Sequence, residues 1–119
     1  MADTKKDKSE NEHDDIRSEF REAVNMSPAE LEKWLDSDES KSVGQAAGKD
    51  GSESIGHKSG RRIVELRHEK VADFTDDDYA HMKKVVGYVK RHLAQRPSGD
   101  VEDTAWRYSL MNWGHDPLK

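Results

Sequence analysis

Apolar residues recur at helical spacing along most of the chain, and no stretch alternates as a strand does. From about Glu12 to Val24, Ile16, Phe20 and Ala23/Val24 lie three to four residues apart, which predicts an amphipathic first helix with a narrow apolar side. Ser27-Pro28-Ala29-Glu30 reads as a helix start: serine caps, proline suits the first helical position, and glutamate at the third closes a capping box. Leu31, Trp34 and Leu35 form one face of that short helix, and the acidic run Asp36 to Glu39 ends it. Ser40 to Gly48 is a further short helix, favoured by Ala46 and Ala47 and closed by Gly48, before the turn cluster Lys49-Asp50-Gly51-Ser52. A helix is expected from about His57 to Lys70, with Ile63, Val64 and Leu66 inward.

The clearest element follows, from about Asp76 to Gln95. Thr75 and Asp78 make a second capping arrangement, Asp76 and Asp77 suit the positive helix start, and the basic end suits the negative one. Tyr79, Met82, Val86, Val89 and Leu93 step along one stripe. Pro97-Ser98-Gly99 breaks the chain. A last helix is predicted over about Glu102 to Trp113, with Trp106, Leu110 and Trp113 on one face and Gly114 as its stop. The fold class is all-α: a small bundle of four to six short helices around the long one at about 76–95.

Composition narrows this picture. The 119 residues suffice for one small domain, yet hydrophobic residues are 32% and charged residues 38%. Such a chain is close to the limit at which burial offsets ordering entropy. Residues 1–11 are expected to be a disordered acidic/polar tail, and 12–118 a single helical domain. Without cysteine, disulfides and thiolate zinc sites are excluded. No apolar run reaches membrane-spanning length and the first ten residues are highly charged, so a soluble cytoplasmic protein is expected.

The net charge of −5 conceals an asymmetry. Residues 1–54 carry 8 basic and 15 acidic side chains, residues 55–96 carry 10 and 6, and four of the six histidines lie in that middle segment. A local basic surface, not the total, decides whether a nucleic acid is attracted.

The candidate chemistry centres on Ser54 to Leu66. Ser42-Val43-Gly44-Gln45-Ala46-Ala47-Gly48-Lys49 and Ser54-Ile55-Gly56-His57-Lys58-Ser59-Gly60-Arg61 share one pattern of serine, β-branched residue, glycine, three residues, glycine and a base. Ile55, Gly56, the small Gly60, Ile63 and Val64 resemble the second half of the helix-hairpin-helix motif of DNA repair and replication proteins. Ser54 stands where that motif has another glycine. The resemblance implies a helix start whose backbone N–H groups point at a phosphate. Such contact is independent of base sequence and weakens with salt. It requires a helix start open to solvent, not one packed under Trp106 or Trp113.

A wider resemblance runs from about Met26 to Leu118. It is carried by Glu53 to Glu65, Asp77-Asp78-Tyr79-Ala80-His81-Met82-Lys83-Lys84-Val85-Val86-Gly87-Tyr88-Val89, Arg91 to Pro97, and Trp106-Arg107-Tyr108-Ser109-Leu110-Met111-Asn112-Trp113-Gly114-His115-Asp116-Pro117. On these runs the chain resembles an uncharacterised family of small bacterial and fungal proteins, some labelled DNA-binding. It implies no catalytic residues. For localisation it implies the nucleoid in a bacterium or the nucleus in a fungus.

Other patterns point to structure. His57 and His68, and His81 and His92, are each 11 residues apart, about 16 Å along a helix, too far to share a metal. Asp73, Asp76, Asp77 and Asp78 read as capping residues, and Trp106, Tyr108 and Trp113 as core. No nucleophile elbow or phosphate-binding glycine loop occurs, so neither catalysis, a cofactor nor a metal is expected. The expectation is a non-enzymatic DNA-binding protein that contacts phosphates through Gly56, His57, Lys58, Ser59, Arg61, Arg62, Lys83, Lys84, Lys90 and Arg91. The alternative is a protein–protein interaction module in which the acidic half screens the basic part or docks a basic partner.

Overall fold

Serine and threonine hydroxyls set most of the helix starts. In the computed structural model, which describes residues 8–43 and 54–119, five of the six described α-helices begin at such a residue. Ser27, Ser37, Ser54, Thr75 and Thr104 each accept the backbone N–H three residues on. The helices are α1 (Lys8–Ala23), α2 (Pro28–Leu35), α3 (Asp38–Ser42), α4 (Ile55–His68), α5 (Asp76–Leu93) and α6 (Ala105–Asn112). Among the described residues there is no strand. The all-α class is therefore as the periodicity predicts, and both capping boxes, Ser27/Glu30 and Thr75/Asp78, are formed.

Several boundaries differ. α1 begins at Lys8, inside the stretch expected to be a tail; once Ile16 and Phe20 anchor a helix the nucleation cost is already met, and each further residue fixes only its own backbone for one more hydrogen bond. Residues 1–7 lie outside the described part. α3 starts two residues earlier than expected, because Ser37 caps it and Asp38 and Glu39 suit a helix start instead of ending the previous helix. Gly44 to Lys49, which hold most of the upstream repeat and the expected stop at Gly48, lie outside the described residues. α4 runs from Ile55 instead of His57, and a 3-10 turn at Val71–Asp73 joins it to α5. α6 starts only at Ala105, since Thr104 supplies the cap.

The core is formed by the inner faces of these helices. Phe20 and Val24 come from α1 and the residue after it, Leu31 and Leu35 from α2, and Ile63 and Leu66 from α4. Tyr79, Met82, Val85, Val86 and Val89 come from α5, with Leu110, Met111 and Trp113 at the C-terminal side. α1 lies along α5 and α2 along α4. The short α6 packs against α2, α3, α4 and α5, so it occupies the middle of the bundle. Beyond it, Gly114 turns the chain at a φ of +83° against Val24. The final residues then bind back to the α1–α2 connection: Met26 N–H donates to the Gly114 carbonyl, and Asp116 N–H donates to Asn25 Oδ1.

Candidate functional site

The Gly56–Gly60 helix start is shaped first by packing. Ser54 is buried, with an extended backbone at φ −67°. Its hydroxyl accepts the His57 N–H at 3.1 Å and its carbonyl the Lys58 N–H at 3.0 Å. Serine here is a helix cap, so the position has no need of the glycine found in the helix-hairpin-helix motif. Gly56 lies under α6, where a Cβ would stand 3.2 Å from Trp113 Nε1 and 3.6 Å from Asn112 Cβ. At Gly60 a Cβ would be 2.6 Å from the Asn112 carbonyl oxygen and 2.7 Å from Leu35 Cδ2. Ser59 is buried beside His81, with Oγ 3.0 Å from Nε2. Gly56, Ser59 and Gly60 are thus there to let α4 approach α6 and α5. The turn is not an open phosphate cradle, and only the Ile55 and Gly56 amides remain outside the helix's own capping bonds.

The basic residues expected to act together are divided among different surroundings. Arg62 donates to Asp78 Oδ1 at 2.8 Å, which joins α4 to the start of α5. The same Asp78 accepts the Thr75 N–H, and this bond holds its carboxyl below its usual value despite burial. Arg61 and His57 border a separate hollow with Glu32, Asp36 and Lys41, and His57 Nε2 lies 2.7 Å from the Leu35 carbonyl. Lys90 faces Glu19 of α1 at 3.8 Å, a solvent-exposed pair of small energetic weight. Lys58 and Lys83 are exposed.

Lys84 and Arg91 are brought together with the start of α4. A cleft of about 510 Å³ opens where α4 begins, between α5 and α6. From α5 it is lined by Lys84, Tyr88, Arg91 and His92, which share one helix face. Ser109, Asn112 and Trp113 close it from α6, and Ile55 and Gly56 form its edge at α4. Lys84 and Arg91 are exposed and make no ion pair among the described residues. Ile55 is 49% exposed, although it is β-branched and apolar.

Behind the cleft the aromatic rings form a continuous stack. Trp113 lies against Tyr88 at 4.3 Å between centroids, Tyr88 against His92 at 5.1 Å, and His92 against Trp106 at 5.9 Å. His81 stacks on the other side of Trp113 at 6.2 Å, and the Arg96 guanidinium covers Trp106 at 5.5 Å. Ring faces are therefore used within the protein, and ring edges are left to the cleft. Burial pushes the His92 imidazole down and the Tyr88 phenol up, so both are neutral near pH 7. The positive charge of the cleft then comes from Lys84 and Arg91. His92 Nε2 is buried without a hydrogen-bond partner among the described residues.

Sequence reasoning missed Asn112. It is almost wholly buried, accepts from Trp34 Nε1 at 2.8 Å and from the Ser40 hydroxyl, and donates to the Ser40 carbonyl at 3.0 Å. One amide thereby joins α2, α3 and α6. A polar residue flanked by Met111 and Trp113 in an otherwise core-facing run was the available signal.

Fold and cleft together define a small all-α protein with a basic, aromatic-backed cleft where three helices meet. The chain belongs to the family described as "Protein of unknown function (DUF3140)", whose model matches residues 19–111. No curated protein and no solved structure matches it. Among the described residues, no helix is long and apolar enough to cross a membrane.

Proposed function

We propose that this protein is a non-enzymatic nucleic-acid-binding protein that contacts the phosphate backbone at the α4–α5–α6 cleft. The observation that carries the reading is the placement of Lys84 and Arg91, without ion pairs among the described residues, on the face of α5 beside the start of α4. Two cations two helical turns apart on one helix face attract phosphate and not a particular base. Lys58 and Lys83 extend the charge outside the cleft. Gly56 contributes by allowing close packing, and Arg62 is engaged with Asp78.

The test is an anisotropy titration of labelled random-sequence DNA, single- and double-stranded, at two salt concentrations. Binding should weaken with salt. Replacing Lys84 and Arg91 by alanine should weaken it uniformly across sequences and reduce the logarithmic salt slope by roughly 2. Arg62→Lys, which keeps a charge beside Asp78, should leave affinity unchanged. Absence of binding to either form of DNA at low salt would show the reading to be wrong.

A further inference from the structure

We infer that the cleft admits an unstacked nucleotide, so that the protein prefers single-stranded nucleic acid, or strand ends, to intact duplex. This rests on the nucleic-acid reading above and adds which form is bound. A rigid duplex presents its phosphates on a convex surface and keeps its bases paired inside. Against such a surface only the rim of the cleft would be used, and Lys84 and Arg91 would supply about two phosphate contacts. The cleft itself, at about 510 Å³, would stay unfilled. Its size is within the range of sites that enclose small organic molecules, and its wall combines the aromatic edges of Tyr88 and Trp113 with the exposed aliphatic Ile55. A single strand can turn a base into that space while its flanking phosphates reach the two cations.

The chemistry of the wall also indicates how the base is held. The faces of Tyr88 and Trp113 are already covered by neighbouring rings. A base therefore meets ring edges and the Ile55 side chain, beside a Ser109 hydroxyl already bonded to the Tyr88 phenol. Discrimination among bases is accordingly weak, and the preference is for a strand whose bases can leave the stack.

The experiment compares a short labelled single strand of mixed sequence with its duplex, for the native chain and for Ser109→Phe, which fills the cleft and keeps both cations. Single-strand affinity should exceed duplex affinity by about 5-fold, the low end of what one base gains on aromatic side chains, since edges and not faces are offered. Ser109→Phe should abolish that difference and leave duplex binding and its salt slope unchanged. Circular dichroism of Ser109→Phe checks its fold, and Ile55→Ser, an uncharged change at an exposed position, provides a second variant that should lower single-strand affinity alone. Equal binding of the two forms, or a preference that survives both substitutions, overturns the inference while leaving phosphate binding intact. If neither form binds the native chain, the nucleic-acid reading and the inference fail together.

Discussion

Gly60 and Gly87 both lie inside long helices, yet replacing them by alanine should have opposite effects. In a helix interior alanine is favoured over glycine by about 1 kcal/mol, because glycine loses more backbone freedom on folding. At Gly87 a Cβ would meet only Arg91 Nη1, at 3.1 Å, the far end of a flexible side chain. Most of the intrinsic gain should therefore remain, and Gly87→Ala should stabilise the protein by about 0.5–1 kcal/mol. At Gly60 the obstacle is the backbone carbonyl of Asn112, 2.6 Å away, with Leu35 Cδ2 at 2.7 Å behind it. Ordinary contact requires α4 and α6 to separate by about 0.8 Å. Overpacking of this kind costs about 1–3 kcal/mol, and the upper end applies because a carbonyl cannot rotate away as a side chain does. After subtracting the helix gain, Gly60→Ala should lose about 2 kcal/mol, or about 8 °C in Tm. Urea and thermal unfolding followed by tryptophan fluorescence and circular dichroism would measure both. If Gly60→Ala proves as stable as Gly87→Ala, the close α4–α6 approach is not what the glycine is for.

Two further expectations concern polar groups in the interior. Asn112→Leu removes the acceptor for Trp34 Nε1 and the buried Ser40 hydroxyl and the donor to the Ser40 carbonyl; a loss of about 2–4 kcal/mol is expected by urea unfolding, and a loss under about 0.5 would contradict it. His81 is held at about 4 by burial, with the charges of Arg62 and Lys84 adding to the effect. Because its folded value is below the ordinary 6.5, the unfolded chain takes up the proton first; this contribution is complete above pH 6.5 and is lost as pH falls toward 4. The urea midpoint of His81→Gln should therefore fall less than that of the native chain between pH 7 and 4.5, and parallel curves would show that His81 plays no part.

Much of the secondary structure was legible because its causes are local. The Ser27 and Thr75 caps, the Glu30 and Asp78 that complete them, and the Tyr79–Met82–Val86–Val89 stripe all act within one or two helical turns. The Lys84 and Arg91 positions were also readable, since residues seven apart share a face of α5. Their joining with Ile55, Ser109 and Trp113 into one cleft was not, because it depends on how three helices meet.

Sequence alone determined that the chain is helical, where α2 and α5 start, and that positive charge is concentrated in residues 55–96. Tertiary structure decided which helix occupies the middle and what each glycine and base does there. The long α5 has the strongest pattern, but the short α6 is packed against four neighbours, with Asn112 supplying polar bonds at its centre. The Gly56–Gly60 start looked like a phosphate-facing turn by its spacing. It became a packing surface because Trp113 and Asn112 lie against it. Arg62 was removed from the basic set by Asp78, a partner 16 residues away that no local pattern pairs with it. Local propensity follows from a residue's immediate neighbours, whereas burial and ion pairing follow from contacts made only when distant segments close on one another.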